Sequence, residues 1–469
     1  MSMKTRILFL ILSTSLLAAV WWGRTAVSAA PSVPLQRLPA TGSDGEEPDN
    51  GSDSPRITAD GRYIVFQSYA SNLVPNDTNG DTDAFVYDRI ADSVTIVSLL
   101  TNGSQLEDGL TAGKNAVDIS DDGRYVVFHS ASADADDASG QNVYEDIFLR
   151  DRELGTLTQV THAFDGTATD GPSINPSISG DGRSIVFRSS ASNLTPADNN
   201  NTYDIFVYDV ASQTIHRVTQ SFDGGDSNDR SIPARESISA DGRYIFFHSW
   251  ASNLTPDDTT TLNADVFRYD RDADGNGIFD ESGPGQTNMA LISVTPDGNA
   301  VDAFSFSSAM SRNGRYVLFS SGAENLVAND SNGVGDVFLR DMLFETTELI
   351  SVRTDGSQGI GNSTEGVVSE DGTIVIFQTM SALTSDDTNT IADIYMRDWQ
   401  TGTTTLLSLG SVPANAHSYF PIVSPNGRIV MFESDASNLI ASDTNAATDI
   451  FILDTDAPNY MVYLPFVQK

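Results

Sequence analysis

The chain has no cysteine among its 469 residues. Disulfides are therefore excluded, and so is a lipid attached to an N-terminal cysteine. Stability has to come from burial and hydrogen bonds, with metal ions as a further source. Basic residues are scarce as well: 26 Lys and Arg stand against 64 Asp and Glu, a net charge of −38. Nucleic acids and anionic membrane surfaces both call for a basic face, so this composition argues against either as a partner. Histidine is limited to His129, His162, His216, His248 and His417, none of them at a metal-ligand or triad spacing. After the first thirty residues there is no helical periodicity of useful length and no run long enough to cross a bilayer.

What is present begins with an export signal. Lys4 and Arg6 precede the apolar run Ile7 to Trp22, and small residues follow at Val27-Ser28-Ala29-Ala30 before Pro31. This order predicts a signal peptide over residues 1–30, cut near Ala29 or Ala30, and a secreted, periplasmic or cell-surface protein. The alternative is an uncleaved anchor, for which the run is short.

The mature chain is one repeat written seven times. Asp60-Gly61-Arg62, Asp122-Gly123-Arg124, Asp181-Gly182-Arg183 and Asp241-Gly242-Arg243 are followed by Asn313-Gly314-Arg315, Asp371-Gly372-Thr373 and Asn426-Gly427-Arg428. Successive glycines lie 62, 59, 60, 72, 58 and 55 residues apart, the period of a solenoid, propeller or array. An Asp-Gly pair between alternating apolar runs signals a tight hairpin. In the third unit, strands read at Pro176 to Ser179, Ser184 to Ser190, Asp204 to Asp209 and Thr214 to Thr219. Four antiparallel strands taken seven times predict an all-β, seven-bladed propeller, a single unit over 31–469. Its blades fall near 54–98, 116–161, 174–219, 235–294, 308–352, 365–409 and 420–454. An open solenoid or two sandwiches are the alternatives.

The seventh unit has no fourth strand of its own. Leu38 lies 23 residues before Gly61, as Val160 lies 22 before Gly182 and Val218 lies 24 before Gly242. Residues 33–40 are therefore expected to complete the last blade beside Asp449 to Asp454, leaving no open edge. The tail Tyr460 to Val467 is the rival for that place.

The unit runs Ser120, Asp122-Gly123-Arg124-Tyr125-Val126, Phe128, then Ala191-Ser192-Asn193-Leu194, Asp77-Thr78-Asn79 and Asp204-Ile205-Phe206 in their respective blades. It resembles the WD-like repeat of TolB-type β-propellers over nearly the whole mature chain. That resemblance implies the fold. For function it implies a protein-binding module or the companion of a peptidase, and here no Gly-x-Ser-x-Gly elbow or residual hydrolase domain is available.

Topology puts the loop after strand two and the loop into the next blade on one face, the long-loop face, where binding residues are expected. After the strand-two Phe the repeats diverge: Gln67, His129, Arg188, His248, Ser320, Gln378 and Glu433 in turn. Two places on, Tyr69 and Trp250 stand out. Gln67, Tyr69, His129, Arg188, His248, Trp250, Gln378 and Glu433 are the candidate ligand-binding residues. The competing reading gives these positions different hydrogen-bond partners between blades. No catalytic residue is assigned. A metal site at the propeller mouth built from His129, His248 and Glu433 is the basis of an alternative, a metal-dependent lactonase or polysaccharide lyase.

Two acidic patterns suggest cations. The loop after strand two repeats frames such as Asp77, Asn79, Asp81 and Asp83, Asp198 with Asp204, Asp330 with Asp336, Asp387 with Asp393 and Asp443 with Asp449, with Asp137–Asp146 and Asp258–Asp265 more widely spaced. Side-chain capping of the loop's own N–H groups is favoured there over Ca²⁺, with the first frame the exception. In blade four the turn after strand three reads Asp270-Arg271-Asp272-Ala273-Asp274-Gly275-Asn276-Gly277-Ile278-Phe279-Asp280-Glu281. It resembles an EF-hand loop flanked by strands, with Asp270, Asp272, Asp274, Asn276 and Glu281 or Asp280 as structural Ca²⁺ ligands. The functional expectation is a Ca²⁺-stabilised, monomeric binding or scaffold protein that meets an extracytoplasmic protein, peptide or glycan on its long-loop face.

Overall fold

The computed structural model describes residues 35–39, 41–111, 113, 115–132, 144–260 and 262–455. The expected signal segment, Asp137 and the tail 460–467 lie outside these residues. The described chain is all-β: twenty-eight strands arranged as four-stranded antiparallel blades. Blades four and five merge into one eight-stranded sheet through a single parallel bridge, Glu236 to Ala309. The first strand of each blade touches the first strand of the next. Ser418–Val423 touches Ser52–Ile57 in turn, so the seven blades form a closed ring.

Local chemistry explains each blade. The Asp-Gly turn works because the Gly adopts positive φ, +77° at Gly372, where in addition nothing larger fits. A Cβ there would lie 2.6 Å from the Tyr316 ring of the preceding blade. The Asp caps the turn: Asp60 Oδ1 accepts from the Thr58 hydroxyl (2.7 Å) and the Arg62 amide (2.9 Å). The Arg then turns its fork onto the Asp that ends strand three, as in Arg62–Asp88, Arg124–Asp151, Arg243–Asp270, Arg315–Asp341 and Arg428–Asp454. Across strands two and three an aromatic pair stacks in every blade, from Phe66–Phe85 (5.8 Å between centroids) to Phe432–Phe451 (5.8 Å).

A second repeated device ties strand three to strand four. The Asp opening strand three is at most 2 % exposed in every blade: Asp83, Asp146, Asp204, Asp265, Asp336, Asp393 and Asp449. In six blades a hydroxyl from the end of strand four donates to it. Thr161, Thr219, Ser293, Ser351 and Ser408 do so at 2.5–2.7 Å, and Ser98 does so for Asp83.

The seventh blade is completed as the spacing predicts. Gln36–Leu38 pairs antiparallel with Asp449–Asp454, setting Leu38 opposite Ile450 and Arg37 opposite Phe451. Leu38 is buried in the core. Here the donor to the buried Asp449 is a guanidinium: Arg37 Nη1 lies 3.4 Å from Asp449 and also pairs with Glu47.

Arg37→Ala strands Asp449 as a buried unpaired charge and should lower stability by about 3 kcal/mol at pH 7.5. Burial raises the Asp449 carboxyl from 3.8 to about 6, with Arg37 lowering it only in part. Its protonation therefore favours the folded state, a contribution complete below 3.8 and lost as pH rises through 6. The penalty of Arg37→Ala should accordingly shrink at pH 5. Urea unfolding at both pH values checks this; an equal penalty at both would count against the closure as described.

Candidate functional site

The long-loop face is organised by the pairing of strands one and two. The divergent positions of strand two stand opposite equally divergent positions of strand one: Asp53 faces Gln67, Ile174 faces Arg188, Ile232 faces His248, Phe306 faces Ser320, Thr364 faces Gln378 and Tyr419 faces Glu433. Several are buried at the joint with the next blade. Gln67 donates to Asp53 Oδ1 (2.5 Å) and to the Gly113 carbonyl (3.0 Å). Glu433, fully buried, accepts from the Ser54 amide (2.9 Å) and lies 3.8 Å from Arg235. His248 Nδ1 meets the Ser307 hydroxyl at 2.9 Å. His129 is buried, and its Nδ1 has no hydrogen-bond partner among the described residues. Burial and then the Arg188 charge push the His129 pKa down to about 4, and burial with Arg188 and Arg230 pushes His248 to about 3. Both imidazoles are neutral at pH 7. Gln378 and Arg188 are half-buried, Tyr69 is 40 % exposed and Trp250 is half-buried.

Sequence reasoning did not find the surroundings of Trp250. Its ring lies 5.3 Å from His248 and 6.0 Å from Phe306, and the Arg230 guanidinium sits 4.0 Å above it. Phe306 stacks on Phe304, with the two rings 1° from parallel; both are exposed, at 39 % and 47 %. Gly322 holds the place in blade five that Trp250 holds in blade four, and a side chain there would meet open space. The signal was available in Phe306, in strand one of blade five, and in Phe304 just before that strand, which differ from their counterparts just as the strand-two positions do.

The central channel is occupied by side chains. Arg56 of the first blade donates to Asn115 (3.0 Å) and across the ring to the Arg235 carbonyl of the fourth (3.1 Å). On the tight-turn side Arg312 of blade five pairs with Asp121 of blade two. Bulges in strand one, with positive φ at Ser54, Asn175, Glu365 and Phe420, shift the register in blades one, three, six and seven, and the first of them lies beside Arg56.

The acidic frames are bridged by donors from the chain itself. Gln105 Nε2 lies 3.1 Å from Asp77 and 3.2 Å from Asp83, Asn79 turns its amide to the Leu106 carbonyl, and Asp81 is exposed. Arg217 sits 3.0 Å from Asp198 and 2.8 Å from Asp226, while the Tyr395 hydroxyl donates to Asp387 at 2.6 Å. In the long turn of blade four, Asp270 is held by Arg243 (2.7 and 2.9 Å) and Asp280 by the buried Arg271 (2.9 and 2.6 Å). Asp272 caps the amides of Asn276 and Gly277, and the Asn276 amide bridges Asp274 (3.0 Å) and Glu281 (2.6 Å). Among the described residues, one carboxylate group could hold a metal: Glu47, Asp443 and Asp449, with ligand atoms within 4.8 Å of one another. Arg37 already lies on two of the three. His129, His248 and Glu433 do not gather into such a group.

No family model matches the chain, and no curated protein matches its sequence. Solved structures share its architecture at low identity. An oligogalacturonate lyase from Vibrio parahaemolyticus aligns at 11 % identity over 92 % of this chain and 93 % of its own, with a TM-score of 0.50. An oligogalacturonate lyase in complex with manganese gives 11 % identity, 92 % and 100 % coverage and a TM-score of 0.52. A puromycin-hydrolyzing peptidase from Mycobacterium tuberculosis aligns at 12 % identity over 87 % of this chain and 52 % of its own, also with a TM-score of 0.52. These likenesses establish the β-propeller fold that the repeat implied.

Proposed function

We propose that this chain is an exported binding or scaffold propeller that meets a protein, peptide or glycan on its long-loop face. The observation that carries the reading is a contrast. The channel is crossed by Arg56, whereas the face beside it exposes Tyr69 on blade one and, at the joint of blades four and five, Phe304 and Phe306 next to Trp250. Exposed aromatics set among polar groups are the usual anchors of recognition surfaces. A metal-dependent lyase of the manganese-bound neighbour's kind needs converging ligands, and among the described residues His129, His248 and Glu433 do not gather into one group: Glu433 accepts from Ser54 and His248 meets Ser307. Among the described residues no helix is long and apolar enough to cross a membrane, which is compatible with export.

Trp250→Ala should weaken capture of the native ligand from host extract by more than about 1 kcal/mol while leaving the melting temperature within a few degrees. Undiminished capture by Trp250→Ala combined with Phe306→Ala would overturn the assignment of this face.

Ca²⁺ is the proposed structural cation. With Asp270 and Asp280 taken by arginines, the oxygen donors open to it are Asp272, Asp274, Asn276 and Glu281, with Ca²⁺ displacing the Asn276 amide between two carboxylates. Calorimetry should find a site that is lost in Asp274→Ala/Glu281→Ala and kept in Asp270→Ala. Indistinguishable titrations for wild type and the double variant would remove it.

A further inference from the structure

On a chain with a net charge of −38, the corner of the long-loop face between blades three and four is basic. Arg188 makes no hydrogen bond or ion pair with any described residue, and its Nε is buried without a partner. Its guanidinium rests against the Tyr203 ring, 4.9 Å from the centroid. The turn arginines, by contrast, fork an Asp. Tyr203 ties this group to the next blade, since its carbonyl accepts from the Ser231 amide at 2.7 Å. Beside Ser231 stands Arg230, whose guanidinium covers Trp250 and whose one carboxylate contact is Asp229 at 4.0 Å, both side chains 49 % exposed. The Arg230 carbonyl accepts from the Trp250 amide, so the sequence Arg188, Tyr203, Arg230, Trp250 is physically continuous. A half-buried arginine without a counter-charge, as Arg188 is among the described residues, is costly, and a planar fork suits a carboxylate or phosphate better than any other group.

We infer that Arg188 and Arg230 bind an oxyanion, a carboxylate or phosphate, whose flat apolar body lies against Trp250 and Phe306. The inference rests on the long-loop face being the recognition surface and deepens it by naming the charge of the ligand. Supporting it, the Arg188 and Arg230 charges both reach His248, and the Arg188 charge reaches His129, so the four groups share one neighbourhood. Both imidazoles are held neutral there, so the positive charge of the site is that of the two arginines. The space left open at Gly322, next to the stacked Phe304 and Phe306, lets the apolar body extend towards blade five.

The probes are phenylacetate, phenyl phosphate and the neutral 2-phenylethanol, titrated by calorimetry into the full mature protein at low salt. One or both anions should bind at least tenfold more tightly than the alcohol, and which anion prevails separates carboxylate from phosphate. Binding should weaken as salt is raised. Arg188→Gln and Arg230→Gln should each weaken the anion at least tenfold, and Arg230→Lys should recover part of the loss. Melting curves on each variant confirm that the fold persists. Equal binding of all three probes, or anion binding unaffected by both substitutions, overturns the inference. If the anions fail while Trp250→Ala still abolishes capture of the native ligand, the anionic assignment falls and the face stands; if both fail, the face itself is wrong.

Discussion

Seven buried aspartates, one opening the third strand of each blade, hold the outer half of this propeller together. A carboxylate that is at most 2 % exposed cannot remain without a donor. In six blades the donor is a Ser or Thr fifteen residues or more downstream, two residues past the strand that closes the same blade. In the seventh it is Arg37, more than four hundred residues away in sequence. The requirement is local in six blades and global in the last, so one interaction both finishes each sheet and fastens the ring.

The same logic explains why so acidic a chain folds. Its carboxylates are placed where arginines, amides and hydroxyls of the chain reach them, as Arg217 does for Asp198 and Gln105 does for Asp77 and Asp83. Arginines are few, and most are committed to turns or frames. Arg188 has neither a hydrogen bond nor an ion pair with any described residue, Arg230 reaches Asp229 only at 4.0 Å, and both belong to the aromatic corner of the long-loop face.

The blades were legible because Asp-Gly-Arg at a regular period states a hairpin that only a glycine of positive φ can make, and the spacing of Leu38 before Gly61 gave the closing strand. The Ca²⁺ pattern in blade four read differently once side chains were placed. Its first Asp, Asp270, is also the strand-three terminal Asp that every blade has, and Arg243 is its partner as Arg62 is for Asp88. That assignment could have been read from the alignment of the repeats, since Asp88, Asp151, Asp341 and Asp454 occupy the same place. The strand-one bulges could not, because Ser54, Asn175, Glu365 and Phe420 share no residue type that demands left-handed backbone. Without the first of them the placement of Arg56 does not follow from sequence.

The claim that the ring is closed by its N-terminal strand is tested most directly by native-state amide hydrogen exchange. If Gln36–Leu38 is the fourth strand of the last blade, the amides it pairs with across Asp449–Asp454 exchange as slowly as those of the matched strand Asp204–Asp209 in the third blade. Free exchange at residues 36–38, together with an unprotected outer edge on Asp449–Asp454, would contradict the closure and with it the account of how the seventh aspartate is satisfied.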